Sequence, residues 1–138
     1  MNRHDLQILS RERLRDARVL LSKERHVGAY YLAGYAVECA LKACIARQTQ
    51  RFDFPDKKVA VDSYTHNLVK LVGLAGLTRS LETTSSSDRA FGLNWTVVKD
   101  WDVEDRYNLS ISLAQAKDIY SAISSRRGGV MTWIRGHW

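Results

Sequence analysis

Several things that would signal a known chemistry are missing from this 138-residue chain or nearly so. Cysteine occurs twice, at Cys39 and Cys44. On one helix the two are separated by about 140°, so they cannot bridge each other, and no Cys-x-x-Cys pair is present to grip a metal. Two unpaired thiols in an apolar segment point to a reducing, cytoplasmic setting. The four histidines stand far apart at positions 4, 26, 66 and 137. There is no His-Glu-x-x-His, no phosphate-cradling glycine loop and no Gly-x-Ser-x-Gly elbow. Met1-Asn-Arg-His-Asp5 lacks the apolar run of a secretory start. The longest stretch without a charge near the middle, Val27 to Val37, is about half of what a bilayer core demands, so no membrane span is expected. Neither strict apolar alternation nor an internal repeat appears, which leaves strands and solenoids without support.

Helical patterning is what remains, and it is strong. Val27 to Ala46 is apolar around its whole circumference, the pattern of a buried central helix covered by neighbouring helices or a second subunit. Glu38 and Lys42 interrupt it one turn apart, where charge is costly unless compensated. Glu38 is expected to be held by a cation. Arg106 is the first choice, because a guanidinium matches a carboxylate with two prongs, and Lys42 is the second.

Asp5 to Glu24 is amphipathic. Leu6, Leu9, Leu14, Ala17, Leu20 and Leu21 share one side, while Arg11, Arg15, Arg18 and Arg25 fall within roughly 80° of arc opposite them. Such a stripe is either a solvated face, partly neutralised by Glu12 and Asp16, or a face that contacts phosphates. Ile8 and Val19 lie off the core arc and mark a flank suited to another subunit. Arg51 to Lys58 holds the only proline and reads as a loop. Thr65 is placed to cap a short helix from His66 through Leu68, Leu71, Val72 and Leu74, ended by Gly73 or Gly76. Ser85 to Ser87 breaks the pattern and offers a cap for a helix carrying Phe91, Trp95, Val98 and Trp101, whose tryptophans read as core. Asp100 to Tyr107 is densely acidic, but without a calcium-type loop it reads as a helix end, and no metal is expected. A last long helix carries Leu113, Ala116, Ile119, Tyr120 and Ile123. Beyond Arg126-Arg-Gly-Gly129, a short piece carries Val130, Trp133, Ile134 and Trp138. The expected fold is therefore a single all-α domain, an up-and-down bundle of about five or six helices.

Charge is distributed unevenly, with an overall formal charge of +6. Residues 1–51 carry ten Lys and Arg against five Asp and Glu, residues 52–105 six against nine, and residues 106–138 five against one. Basic ends flanking an acidic middle permit contact with phosphates or with an acidic partner without requiring either.

Taken as a set, Ala17 to Leu21, the Gly28-Ala-Tyr-Tyr-Leu-Ala-Gly-Tyr-Ala-Val-Glu-Cys-Ala-Leu-Lys-Ala43 segment, His66-Asn-Leu68, Trp101 with Arg106-Tyr107, and the closing Gly129-Val-Met-Thr-Trp-Ile-Arg-Gly-His-Trp138 resemble HEPN domains, the higher eukaryote and prokaryote nucleotide-binding group. The resemblance implies a helical bundle, usually a homodimer, acting in toxin–antitoxin or defence systems and binding nucleotide or RNA. Many such domains are metal-independent ribonucleases carrying an Arg, four to six intervening residues and a His on a late helix. No Arg precedes any of the four histidines here at that spacing. Arg106-Tyr107 instead resembles the variant that associates with a small nucleotidyltransferase partner. The expected function is accordingly an HEPN-like module that binds nucleotide or RNA and such a partner, with Arg106, Tyr107, His66, Arg11, Arg15 and Arg18 as candidate contacts and no cofactor. A metal-independent endoribonuclease toxin using Arg106, or a purely structural dimerisation domain, are the alternatives. Phenols ordinarily keep their proton at neutral pH, which leaves the Arg106-Tyr107 pair without an obvious base. His66 or His137 would have to approach Arg106 for cleavage chemistry.

Overall fold

A computed structural model describes residues 1–49, 53, 54 and 56–138. The described chain is all-helical, with eight α-helices and one 3-10 turn. They are α1 (Arg3–Ser22), α2 (His26–Gln48), α3 (Lys57–Asp62), α4 (Leu68–Leu74), α5 (Thr78–Ser87), α6 (Arg89–Val98), the 3-10 turn Val103–Tyr107, α7 (Leu113–Ser124) and α8 (Val130–Arg135). No helix is long and apolar enough to cross a membrane among these residues.

The helix number exceeds the expected five or six because α3 begins inside the expected loop and one further helix has almost no apolar stripe. α5 is that helix, and it corrects the expectation that Ser85 to Ser87 only breaks the pattern. Its last turn keeps helical geometry while Ser86 Oγ and Ser87 Oγ donate to the Glu82 and Thr83 carbonyls at 3.0 and 3.1 Å. The cap of α6 is then Asp88, whose carboxylate accepts from Phe91 N at 3.1 Å. Likewise α4 is capped by Asn67 rather than Thr65, whose hydroxyl instead accepts from Asn67 N. Within the expected loop of residues 51–58, Arg51, Phe52 and Pro55 lie outside the described residues. Lys57 and Lys58 already belong to α3, started by Asp56 as its cap.

α2 is the axis of the molecule, packed against α1, α4, α7, α8 and the 3-10 turn. Twelve of its residues are buried, on every side, as its uniform apolarity requires. α1 folds back along it after a tight link in which Glu24 takes the left-handed conformation, φ 57°, a setting uncommon for a side-chain-bearing residue. A capping box between Asn2 and Asp5 starts α1, and the buried Ser10 Oγ donates to the Ala36 carbonyl at 2.7 Å. α1 ends at Ser22, so Arg25 is not part of its arginine stripe but caps α2. Gly34 is required by close approach: a Cβ there would meet the Trp101 indole at 2.2 Å. Trp101 thus lies flat on the α2 backbone, stacked on Tyr31 with centroids 5.9 Å apart. Trp95 and Trp101 are both core residues, as their spacing suggests.

Candidate anion site and the buried charge cluster

Two groups of charged side chains stand out, and they are built in opposite ways. The first is buried. Glu38, 2% exposed, leaves α2 and presents Oε1 to two donors, Lys42 Nζ at 2.8 Å and His66 Nδ1 at 2.9 Å. Lys42 reaches it by the helical i, i+4 relation. His66 reaches it because the α3–α4 connection crosses α2 at that level. Glu38 Oε2 is buried with no partner among the described residues. The expected Glu38–Arg106 pair does not form. Arg106 sits on the 3-10 turn, where its guanidinium is 3.9 Å from Glu104 and 4.7 Å from the centre of the Tyr107 ring, with the Tyr31 hydroxyl in reach. Residue-type complementarity favoured Arg106, but the 3-10 turn keeps it at the surface beside its own acidic segment. A half-buried imidazole and a lysine ammonium therefore serve Glu38 instead.

No hydrogen bond or ion pair joins Arg106 to a histidine among the described residues. His26 bonds the Glu24 carbonyl, His66 bonds Glu38, and His137 lies edge-on to Trp133 with Ser80 Oγ near its Nε2 at 3.4 Å. Cys39 and Cys44 are free thiols, and burial holds both well above the ordinary range, at about 11. They are poor nucleophiles in this state. Among the described residues no group of three or more His, Cys, Asp or Glu is placed to hold a metal ion.

The second group is on the surface. Arg11, Leu14, Arg15 and Arg18 of α1, Tyr120 of α7 and Arg135 at the end of α8 line a cleft of about 260 Å³. The α1 periodicity aligns its three arginines. The packing of α7 and α8 adds Tyr120 and Arg135, which no local pattern announces. Arg15 is paired with Glu12 Oε1 at 2.6 Å. Among the described residues no carboxylate lies within ion-pair distance of Arg11, Arg18 or Arg135. Burial, and secondarily the neighbouring Arg11 charge, holds the Arg135 guanidinium below its ordinary value, though still fully protonated at neutral pH. The Arg11 and Arg135 guanidiniums also lie 4.8 and 5.6 Å from the centre of the same Trp138 ring. A cleft floored by aromatic and aliphatic carbon, rimmed by donors and lacking counter-charge, suits an anion with several oxygens.

A larger cavity of about 640 Å³ opens between the start of α1, the end of α2 and α3. Its ionic groups are already committed: Lys42 to Glu38, Asp56 to the first turn of α3, and Asp53 to an interaction of its own. Size alone therefore favours the larger cavity and uncompensated charge favours the arginine cleft, and it is charge that selects a ligand. Of the residues singled out by sequence, Arg11, Arg15 and Arg18 meet in one site, whereas His66, Arg106 and Tyr107 do not line it. No family model, no curated protein and no solved structure matches this chain.

Proposed function

We propose that this protein is a helical RNA-binding module whose arginine cleft between α1 and α8 takes the phosphates of a single strand or of a nucleotide. The observation that carries this reading is the convergence of Arg11, Arg18 and Arg135, none neutralised by a carboxylate among the described residues, around one small concavity. Like charges gathered without counter-charge raise the local potential and favour an anionic ligand that supplies the missing charge. The HEPN resemblance extends the proposal to a homodimer working with a separate nucleotidyltransferase in a toxin–antitoxin or defence system. The exposed Ile8 and Val19 on the flank of α1 are the side chains offered to the second copy.

Binding through these groups is expected to be electrostatic and indifferent to sequence, since no base-reading motif accompanies them. Titration of a fluorescent single-stranded oligoribonucleotide at increasing salt tests it. With three phosphate contacts the logarithmic slope should be near −2, so affinity falls roughly tenfold or more between 50 and 200 mM salt. An affinity unmoved over that interval would remove the phosphate-contact reading. Cleavage of the same probe in excess chelator, lost in Arg106→Ala, would replace it with the nuclease alternative.

A further inference from the structure

We infer that Trp138 is a positioning residue of the arginine cleft, holding the Arg11 and Arg135 guanidiniums beside each other so that one phosphate meets both. This deepens the phosphate-binding reading and rests on it. Two adjacent cations repel, and long side chains left to themselves would splay apart into solvent. In this protein each guanidinium instead approaches one indole, Arg11 at 4.8 Å and Arg135 at 5.6 Å from the ring centre. The negative face of an indole attracts a cation whatever that cation's other neighbours are, so a ring shared by two guanidiniums offsets part of their mutual repulsion. The arrangement can therefore persist before any anion arrives.

Trp138 is itself anchored from several directions, as a platform must be. Arg3 Nη2 donates to its backbone oxygen at 2.6 Å, and Arg47 Nη1 donates to the preceding His137 carbonyl at 3.1 Å. The His137 ring is wedged against Trp133, whose Nε1 donates to Ser80 Oγ at 3.1 Å. Part of the Trp138 ring packs on the apolar core. The start of α1, the end of α2 and α5 thus all fix the segment that carries the indole, and the indole in turn fixes the two arginines. An anion entering the cleft meets donors already gathered, and less side-chain freedom is lost on binding.

The test compares Trp138→Leu, which keeps apolar cover but has no ring, with Trp138→Phe, which keeps a ring. The probe is a fluorescein-labelled single-stranded oligouridylate followed by anisotropy. Trp138→Leu should bind about five- to tenfold more weakly, and Trp138→Phe within about threefold of the parent, at similar melting temperatures. In an Arg11→Gln/Arg135→Gln background the leucine substitution should cause no further loss. Equal losses in the leucine and phenylalanine variants, no loss in the leucine variant, or the same loss with and without the two arginines would each overturn the inference. Should Trp138→Leu not stay folded at the assay temperature, Trp138→Met replaces it in the same comparison. Unchanged binding in Arg11→Gln/Arg135→Gln would sink the cleft itself. Loss there, with none in Trp138→Leu, sinks only the positioning role.

Discussion

The Glu38 cluster and the arginine cleft are both ionic, yet one is closed and the other open. In the cluster every cation has found the carboxylate, and the only atom left over, Glu38 Oε2, is sealed from solvent. In the cleft three cations have found no carboxylate among the described residues and remain accessible. Removing water from charge is costly, so a buried group survives only where partners replace the water. At a surface the same charges can stay hydrated and unpaired, and they remain available to a ligand. The contrast separates a charge retained for the fold from charges retained for an encounter, though both began as polar residues on helices.

The sharpest way to break this distinction is to remove the buried carboxylate's charge. Glu38→Gln keeps the shape but strands Lys42 and His66 against a neutral amide. A loss of about 3 kcal/mol is expected, near 10 °C in melting temperature. Calorimetry checks it, and a drop of less than about 3 °C would mean that the cluster is not structural. The double replacement Glu38→Met/Lys42→Met should recover much of the loss, because an apolar pair of similar volume has no charge to desolvate. RNA affinity of the folded protein should not change in either variant.

Charge reversal in the cleft should do the opposite. Arg11→Glu with Arg135→Glu is expected to lower RNA affinity by at least about tenfold. Stability should stay within about 0.5 kcal/mol of the parent, since exposed cations that lose a like-charged neighbour lose nothing the fold needs. Fluorescence anisotropy and thermal melts on the same samples decide the matter. A large fall in melting temperature would place these arginines with Glu38 as structural charges.

His66 lies on the boundary between the two classes and sharpens it. Its side chain is half exposed, and Lys42 remains on Glu38 without it. His66→Ala should cost about 1 kcal/mol, discounted for solvent screening, and leave RNA affinity unaltered. Sequence had offered His66 as a ligand contact. An affinity loss matching that of the arginine reversal would restore it to that role.

Local periodicity made the fold class and half of the cleft legible. The 3.6-residue repeat that buries Leu14 and Ala17 also aligns Arg11, Arg15 and Arg18, so one count yields both faces of α1. The same count identifies α2 as the central helix and Lys42 as a partner of Glu38. It is blind to α5, whose hydroxyl-rich end shows no apolar stripe, and to anything assembled by distant segments. Arg135 and Trp138 join Arg11 only because α8 packs beside α1 and α7. His66 joins Glu38 only because of where the α3–α4 connection passes. Arg106 was matched to Glu38 by chemical fitness, a criterion that says nothing of the chain's path.

Arg106 therefore gives the smallest expected effect and the last check on the comparison. Its guanidinium stacks on Tyr107 and faces Glu104, within the acidic segment Asp100 to Asp105, and it neither lines the cleft nor touches Glu38. A cation whose surroundings are already negative adds little attraction for a polyanion. Arg106→Ala should accordingly change RNA affinity by less than about twofold and melting temperature by no more than about a degree. If affinity instead fell as far as in the Arg11 and Arg135 reversal, the RNA path would have to cross the 3-10 turn. Uncompensated charge would then no longer be a sufficient guide to where this protein meets its ligand.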